Sequence, residues 1–316
     1  MANPRQLPLF VTEPQGTKDL NLHTPFNRAL PFFAEHLKKE GKSEHTIKAF
    51  IADLNLLASY AGEDRALGKF QTRQLDEFLH WMENERGVPC SRKTYARRVT
   101  SIKVFFKWLM ALDVIAHDPA KAVVQRSGEA PLSYALTPDE IRRVFEFAPT
   151  MERKGERDTR PELLFWLLLD TGIKKSEVMR LTTDDIHTDN PALPYLHVHH
   201  TVRNVYKERK IPIDPKWVDL FDEYRAQYKL KEKIFTCTAR NLEYILSDLS
   251  DGADTSTKIS FEIMRWTGAV RDAREGMDPE LIRERMGLSK ISWNETGRKI
   301  ERLVEKQIEA EQAATS

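Results

Sequence analysis

The chain has 316 residues, of which 41% are hydrophobic and 31% are charged, and its formal net charge at pH 7 is +1. This length predicts two domains, and the composition is that of an ordinary globular protein. The charge total excludes a protein that is basic throughout, so an anion-binding surface would need a local concentration of lysine and arginine.

The sequence shows no sign of a membrane span, a signal peptide, a disulfide framework or a metal site. No apolar run reaches the ~18–20 residues that a span needs, and the first residues lack a basic segment followed by an apolar one. Cys90 and Cys237 are far apart. His197, His199 and His200 stand in LHVHH, whose alternation indicates a strand rather than a metal site. We therefore expect a cytoplasmic protein that needs no metal and no cofactor.

The first part of the chain predicts an arm followed by a helical domain. Residues 1–23 contain Pro, Gly and Gln without periodicity and predict a flexible arm, and residues 24–126 predict helices. Ser43 is a plausible N-cap of the second helix, which ends at Gly62, and a third helix surrounds residues 75–82. Ser91 caps a fourth helix, which runs to about Leu112.

The fourth predicted helix has a basic face. Helical periodicity gathers its apolar residues on one side and its lysines on the other. A solvated face usually mixes the two signs of charge, whereas residues 92–107 contain no acidic residue. The pattern favours an anionic partner such as nucleic-acid phosphates over a merely solvated face. The basic residues are Arg92, Lys93, Arg97, Arg98, Lys103 and Lys107.

A second domain is predicted at residues 136–316, after a linker at 127–135 that contains Gly128 and Pro131. Thr137, Pro138 and Glu140 form a capping-box pattern at its first helix. Short strands are predicted at 193–198, 201–206 and 209–213, and helices around 162–170, 215–229, 239–249, 260–275, 278–287 and 295–312. The fold class is therefore mainly α with a small β-sheet.

Several stretches in this order resemble the tyrosine recombinase, or phage integrase, family from about Thr24 to about Val304. SEHTIKAFIADLNLLASYAG and SRKTYARRVTSIKVFFKWLMALDVIAHDPA resemble helices of that family's core-binding domain. LLLDTGIKKSEVMRLTTDDI resembles its TGxRxSEL signature, KERKIPI the strand after its β-hairpin, and LIRERMGLSKIS its LGH-containing stretch. The resemblance implies an N-terminal helical (SAM-like) core-binding domain and a C-terminal domain with the recombinase catalytic fold.

The resemblance also implies a set of catalytic positions. In the family, a tyrosine attacks the scissile phosphate, two arginines clamp its oxygens, and a lysine protonates the leaving oxygen. Matched to these motifs, only one arginine of the set is kept, and the tyrosine is replaced by glycine. Lys207 is a possible substitute for the hairpin lysine. The degenerate positions are Lys174, Asn204, Glu262, Arg265, Leu288 and Gly297.

No other side chain is an evident replacement for the nucleophile. The last tyrosine, Tyr244, precedes the whole element, and the nearby hydroxyls of Ser289, Ser292 and Thr296 lack a partner base in the sequence. Because several roles are lost together, catalysis should be lost rather than slowed. The resemblance therefore implies a pseudoenzyme.

The favoured hypothesis is a non-catalytic protein that clamps duplex DNA as an accessory, architectural or regulatory factor, nucleoid-associated in a bacterium and derived from a mobile element. The residues expected to contact DNA are Lys42, His45, Thr46, Lys48, Arg92, Lys93, Arg97, Arg98, Lys103, Lys107, Lys174, Lys175, Arg203, Lys207, Arg209 and Arg265. Alternatively, Lys174 and Lys175 are solvated helix-end charges, and Arg265 pairs with Glu262.

Two other functions remain open from the sequence. One is an active recombinase with an unconventional nucleophile or one that a partner subunit supplies. The other is a protein-interaction scaffold that no longer binds DNA, with residues 295–316 as its contact segment. The C-terminal helix is expected to pack within the chain, to join a second copy, or to bind an active recombinase.

Overall fold

The computed structural model describes residues 14–125, 132–199, 201–202, 205–206 and 208–315. The chain divides into two compact units, Met1–Ala130 and Pro131–Ser316. Helices predominate and the sheets are small, which confirms the predicted fold class. Within the described residues, no helix combines the length and apolar character that a membrane crossing requires.

The described residues of the first unit contain four α-helices, and the starts of the second and fourth follow the predicted caps. They are α1 (Phe26–Lys39), α2 (Glu44–Ala61), α3 (Thr72–Asn84) and α4 (Arg92–Ala111). The Ser43 hydroxyl accepts the Thr46 backbone N–H at 3.2 Å, and the Ser91 hydroxyl accepts that of Thr94 at 3.2 Å. These bonds satisfy donors that a helix N-terminus leaves unpaired, so both predicted caps are confirmed.

An aromatic cluster forms the core of this unit. Phe105 of α4 contacts two residues of α1, with ring centroids 4.9 Å from Phe26 and 5.2 Å from Phe33. Trp108 lies 5.2 Å from Phe33. These rings are buried and bring a large apolar area out of water. Because the apolar stripe of α4 faces inward, its basic side faces outward.

The end of the predicted arm differs from expectation. Leu20 is buried in the first core. The backbone N–H of Leu67 donates to the Thr24 carbonyl at 2.9 Å, and that of Gly68 donates to Leu22 at 2.9 Å. A segment held by such pairing needs no helical periodicity, which is why the sequence pattern did not show it. Residues 1–13 of the predicted arm lie outside the described part of the chain.

The second unit begins with helices and a short hairpin. The elements are α5 (Pro138–Phe147), β1 (Glu152–Arg153), β2 (Glu156–Arg157), α6 (Thr159–Thr171) and α7 (Lys175–Val178). The β1–β2 hairpin was not predicted. The predicted linker ends at 135, and its last residue packs on this unit: Ala135 is buried and its carbonyl accepts from Gln307 at 3.3 Å.

A small antiparallel sheet follows. The strands are β3 (Ile186–His187), β4 (Tyr195–Val198), β5 (Thr201–Val202), β6 (Val205–Tyr206) and β7 (Arg209–Pro212). β3, β4 and β7 form one sheet in that order, and β5 pairs with β6 in a separate hairpin. Strands are therefore present in all three predicted stretches, and β3 is an additional edge strand.

Five helices complete the unit. They are α8 (Pro215–Tyr228), α9 (Ala239–Gly252), α10 (Phe261–Arg274), α11 (Pro279–Arg285) and α12 (Lys290–Thr315). Their positions agree with prediction, except that α12 begins five residues before the predicted start at 295. The apolar stripe of α12 packs within the chain, since Ile300 and Leu303 are buried in a cluster with α10 and α11.

The buried helix α6 is central to this unit and packs against α8 and α10. Leu163, Leu164 and Phe165 are fully buried. A Cβ at Gly268 of α10 would lie 2.5 Å from the Leu169 carbonyl oxygen, so only glycine allows α10 to approach α6 this closely. The close packing places the end of α6 beside the side chains of α10.

Glu140 in α5 completes the predicted capping box from a buried position. Its carboxylate accepts from the Thr137 backbone N–H at 2.8 Å, from the Ser256 backbone N–H at 2.8 Å and from the Tyr134 hydroxyl. Burial alone would raise the pKa of Glu140, but these donors outweigh burial and lower its pKa to about 2. The ionised carboxylate is therefore the form that the folded state favours.

We predict that Glu140→Gln lowers the free energy of unfolding at pH 7 by about 2 kcal/mol, because the folded state stabilises the ionised carboxylate. The folded pKa lies below the usual 4.5, so this contribution is complete above that value and is lost as the pH falls toward 2. Urea unfolding of both proteins across this pH range measures the difference. Glu146→Gln, an exposed change on the same helix, should alter stability by less than about 0.5 kcal/mol. Equal losses would contradict the prediction.

Candidate nucleic-acid interface

The basic face of α4 is only partly available for an anion. Arg92, Lys93 and Lys107 are exposed and Lys103 is half-buried. Within the described residues, no carboxylate forms an ion pair with these four side chains. We refer to Arg92, Lys93, Lys103 and Lys107 as the α4 cation set.

Arg97 differs from this set because tertiary packing brings an acid to it. Asp53 of α2 is buried, and Arg97 donates to its Oδ1 at 2.9 Å. The Ser101 hydroxyl donates to Oδ2 at 3.0 Å. Burial raises the pKa of Asp53, while these donors oppose the rise. The expectation of a face without acidic neighbours therefore does not hold at Arg97.

Arg98 lies on the inner side of α4. It is three residues after Tyr95 and four before Ile102, both buried, so helix geometry directs it toward the core. Its side chain is 13% exposed, and its Nε donates to Asp53 at 3.4 Å. The structure thus places Arg98 as a support for the α2–α4 contact, which differs from its expected role at a phosphate.

The expected contacts near α2 lie around its first turn. His45 and Lys48 are exposed, and Lys42 is half-buried with its Nζ 3.8 Å from Glu40. The Thr46 hydroxyl lies 2.9 Å from the Ser43 hydroxyl, so it belongs to the cap. The structure therefore brings His45 and Lys48 to the surface as candidates, and ties Thr46 to the helix start.

The start of α4 is electrostatically unusual. A helix N-terminus carries a partial positive charge and favours acidic residues in its first turn. The first turn of α4 contains no acidic residue and instead holds Arg92 and Lys93. Like charges here cost stability, and they also raise the positive potential that an anion would meet. This combination distinguishes α4 from α5, whose first turn is acidic.

In the second unit, two residues matched to the family's active site, Lys174 and Arg265, lie where α6, α7, β7, α10 and α11 meet. Lys174 directly precedes α7, and its Nζ lies 3.4 Å from the Gly287 carbonyl oxygen. Lys175 forms an ion pair with Glu243 at 2.7 Å on the surface. Lys175 is therefore an exposed charge with a partner, whereas Lys174 faces the α11–α12 turn.

Arg209 is bound to a buried acid. Glu177 is 2% exposed and accepts from the two terminal nitrogens of Arg209 at 3.2 and 2.8 Å. Burial on its own raises the pKa of Glu177, but the bonds and charge of Arg209 outweigh this and lower the pKa below its ordinary value. A buried pair of this kind is strongly destabilised if one partner is removed. Arg209 therefore has a structural role, in contrast to the expected phosphate contact.

Arg265, the one retained position, donates to main-chain carbonyls. One terminal nitrogen lies 2.7 Å from the Gly172 carbonyl oxygen, and the other lies 3.0 Å from that of Met286. Burial lowers the pKa of this guanidinium. Glu262 is exposed, and no hydrogen bond joins it to Arg265 among the described contacts. The expected Glu262–Arg265 pair is therefore replaced by bonds to the backbone.

Four successive carbonyls after α11 each accept from a cationic side chain. Besides Met286 and Gly287, Arg285 accepts from the Arg209 Nε at 2.9 Å, and Leu288 accepts from Arg283 at 2.6 Å. The last carbonyls of a helix lack intrahelical donors and carry partial negative charge. Cations from several elements thus cap this helix end. We call the group Lys174, Arg209, Arg265 and Arg283, with the carbonyls of 285–288, the α11 cap cluster.

The position matched to the nucleophile is enclosed. Gly297 is buried in α12, and a Cβ built on it would lie 3.2 Å from the Trp293 indole, one turn earlier. Leu288 packs beside Trp293 in the apolar cluster of α10, α11 and α12. A side chain at Gly297 would point toward the preceding turn, where the indole lies. The site therefore has no room for an aromatic residue without movement of Trp293.

The nearby hydroxyls are engaged in the helix itself. The Ser289 hydroxyl accepts the Ser292 backbone N–H at 3.2 Å, and the Thr296 hydroxyl donates to the Ser292 carbonyl at 3.0 Å. The Tyr244 hydroxyl accepts from Arg240 at 2.8 Å on α9. None of these hydroxyls has a histidine or lysine as a hydrogen-bond partner in the described structure.

Two acids, Asp53 and Glu177, hold these arginines in place, and neither was predicted from the sequence to do so. Asp53 lies within α2, where the sequence shows only an amphipathic pattern and nothing nearby indicates a pair with Arg97. Glu177 has a local signal, because it stands three residues after Lys174, where it accepts the Lys174 backbone N–H at 2.7 Å. Arg203, Asn204 and Lys207 lie outside the described residues, so their roles stay predictions.

Family models match both units. The model described as "Phage integrase, N-terminal SAM-like domain" matches residues 31–112, and that described as "Phage integrase family" matches residues 135–296. Among curated proteins, tyrosine recombinase XerD of Listeria innocua serovar 6a is 24% identical over 80% of this chain and 87% of its own length. Tyrosine recombinase XerC of Mycobacterium leprae is 30% identical over 61% of this chain and 62% of its own length.

Solved structures show the same fold at low sequence identity. XerH recombinase bound to a palindromic difH substrate, in a post-cleavage complex, matches with a TM-score of 0.70 and 16% identity over 94% of this chain and 92% of its own. A lambda integrase dimer bound to a COC' core site matches with a TM-score of 0.67 and 14% identity, covering 86% of this chain and 76% of its own. With the catalytic-domain model matching more than half of its length, the chain belongs to the phage integrase family of tyrosine recombinases.

Proposed function

We propose that this protein binds duplex DNA without cleaving it, as an accessory, architectural or regulatory member of its family. The observation that carries the proposal is the α4 cation set, which lies along one helix without carboxylate partners among the described residues and has two of its members, Arg92 and Lys93, in the first turn. Such an arrangement costs stability unless an anion is bound. Regularly spaced phosphates suit a basic face along one helix.

The related structures support duplex DNA as the anion. XerH bound to a difH substrate and lambda integrase bound to a core site both share this fold. We extend DNA binding to the present chain on the strength of its own basic surface. His45 and Lys48 near the start of α2 are proposed as further contacts in the first unit, and Lys174 and Lys175 in the second.

The loss of catalysis is proposed from the cap cluster and from Gly297. Strand cleavage needs a nucleophile, and clamping the phosphate needs guanidinium groups that are available to its oxygens. Gly297 supplies no reactive group, and the side chain of Leu288 can neither donate nor accept a hydrogen bond. Arg265 donates to two main-chain carbonyls. A phosphate would have to displace these bonds and leave carbonyls unpaired, at about 1–3 kcal/mol each.

Binding should depend on salt. We expect a plot of log Kobs against log salt concentration to have a slope of about −4 from the α4 cation set, because each of its four phosphate contacts releases counterions. Fluorescence anisotropy of a random-sequence duplex between low and physiological salt measures the slope. An affinity that is absent at low salt, or that does not change with salt, would show that the protein does not use this surface for DNA.

Charge reversal at the start of α4 should have opposite effects on DNA affinity and on stability. We expect Lys93→Glu to weaken duplex binding and reduce the salt slope by about 1 or more, because a phosphate contact is lost. The same change should raise the free energy of unfolding by about 0.3–1 kcal/mol, because an acid replaces a base in the first helical turn. Anisotropy and urea unfolding measure the two effects.

Lys69→Glu is the matched control, since Lys69 is exposed in the same unit but lies outside α4. It should change DNA affinity much less than Lys93→Glu. Arg97→Glu is unsuitable for this test, because the new carboxylate would lie beside that of Asp53 and destabilise the fold. A Lys93→Glu protein with full function in cells and unchanged DNA affinity would favour the scaffold hypothesis instead.

A covalent DNA adduct should not form. We expect no trapped adduct when the protein is incubated with nicked duplexes taken from the chromosomal sites that it occupies, because a nucleophile is lacking at Gly297. Denaturing gel electrophoresis detects an adduct. A covalent product made by the purified chain, or by the chain with an active recombinase, would overturn the non-catalytic proposal and identify a nucleophile elsewhere.

Restoring the tyrosine alone should fail for a steric reason. We predict that Gly297→Tyr forms no adduct and lowers the free energy of unfolding by about 1–3 kcal/mol, because the ring overpacks against Trp293. The double change Gly297→Tyr with Trp293→Ala should recover part of the loss relative to the two single changes. Additive losses in urea unfolding would show that the indole does not obstruct this position.

A further inference from the structure

A group of potential metal ligands lies at the edge of the small sheet in the second unit. His197 is in β4, His199 directly follows β4, and Glu208 directly precedes β7. Their ligand atoms all lie within 4.8 Å of one another. The two histidines share a face because they are two residues apart, and Glu208 comes opposite His199 because Val198 pairs with Arg209.

The distances within the group are short for separate exposed side chains. Glu208 Oε2 lies 3.6 Å from His197 Nε2, and Glu208 Oε1 lies 3.5 Å from His199 Nδ1. The ring centroids of the histidines are 4.1 Å apart. Ligand atoms around a tetrahedral zinc ion, with bonds of 2.0–2.1 Å, stand about 3.3 Å apart. Small side-chain adjustments would therefore complete the coordination.

A buried acid fixes the orientation of His199. Asp185 Oδ1 lies 3.0 Å from His199 Nε2, and Asp185 is only 6% exposed. Its other oxygen accepts from the Thr182 backbone N–H at 2.7 Å and from the Thr182 hydroxyl at 3.0 Å, so the carboxylate cannot easily turn away. Asp185 therefore holds His199 through its Nε2, while Nδ1 faces the Glu208 carboxylate.

Two imidazoles and a carboxylate thus converge within 4.8 Å, and Asp185 contacts the other nitrogen of one of these imidazoles. A carboxylate that holds one nitrogen of an imidazole, while the other nitrogen faces further donors, is the arrangement that surrounds many protein-bound zinc ions. We propose that His197, His199 and Glu208 bind one divalent transition-metal ion of the zinc type, with Asp185 as the positioning residue for His199. Water would complete the coordination at this exposed edge.

This proposal revises the prediction that LHVHH is only a strand. The strand is confirmed at β4, but the third ligand is nine residues beyond His199 and reaches it only through the antiparallel register. His200 lies outside the described residues. A bound ion would join the two segments that enter and leave the β5–β6 hairpin, and would hold Glu208 beside Arg209 of the α11 cap cluster. Its role is thus to stabilise this part of the fold.

The test uses the full-length, tag-free protein, stripped with EDTA and dialysed, with ZnCl2 as the probe in isothermal titration calorimetry. We expect one ion per chain. His199→Ala, His197→Ala and Glu208→Gln should each weaken binding at least tenfold, and Asp185→Asn about 10–100-fold through loss of orientation. Co2+ absorption spectra should show nitrogen and oxygen ligation without a sulfur charge-transfer band, which excludes Cys90 and Cys237 as ligands.

His80→Ala is the matched control. His80 Nε2 lies 3.7 Å from Glu85 on the surface of the first unit, so this pair has similar spacing but only one histidine. Zinc affinity should be unchanged in this variant. Circular dichroism of each metal-free variant checks folding, and the His197 and Glu208 changes at the surface keep the test valid if the Asp185 change unfolds the protein.

The proposal is overturned if the wild-type protein binds no stoichiometric zinc at 100-fold excess, or if His199→Ala binds as well as wild type. The first result would mean that His199 only bridges Asp185 and Glu208 by hydrogen bonds, and the second that zinc binds elsewhere on the protein. The titration contains no DNA, so its outcome is independent of the DNA-binding proposal.

Discussion

The carbonyl groups at the end of α11 impose the main constraint on the second unit. The end of a helix and the turn after it leave carbonyls without intrahelical donors, and here those of residues 285–288 are met by Lys174, Arg209, Arg265 and Arg283. These cations come from the start of α7, from β7, from α10 and from α11 itself. The same contacts therefore join elements that are distant in sequence. Removing one cation would unpair a carbonyl and loosen several elements together.

This constraint bears directly on the family's chemistry. Arg265, the one arginine matched to the family's phosphate clamp, donates to the protein's own backbone, and the neighbouring Arg209 donates to a buried glutamate. Gly297, the position matched to the nucleophile, lies within a packed helix beside Trp293. The second unit thus keeps the family fold while its polar groups serve internal stability.

The first unit distributes its charges differently. Asp53 lies under Arg97 and Arg98, so two of the six basic residues of α4 hold the helix to α2. The α4 cation set lies along the outer side of the helix, and its members Arg92 and Lys93 stand in the first turn, where positive charge is least favourable to folding. A net charge of +1 therefore conceals a local positive surface, because acids elsewhere in the chain balance it. The angular position of each residue around the axis of α4 decides whether its side chain pairs with Asp53 or faces solvent.

The amino-acid sequence by itself determined the helices, their caps and the family, because periodicity, Ser or Thr caps and colinear motifs are local properties. The burial of Arg98 was also readable from its spacing to Tyr95 and Ile102. Tertiary structure alone decided that Asp53 meets Arg97, that Glu177 meets Arg209, and that Arg265 meets the carbonyls of Gly172 and Met286. The grouping of His199 with Glu208 likewise depends on strand register. Such contacts join residues far apart along the chain or across a hairpin, and only packing and pairing specify which charges finally meet.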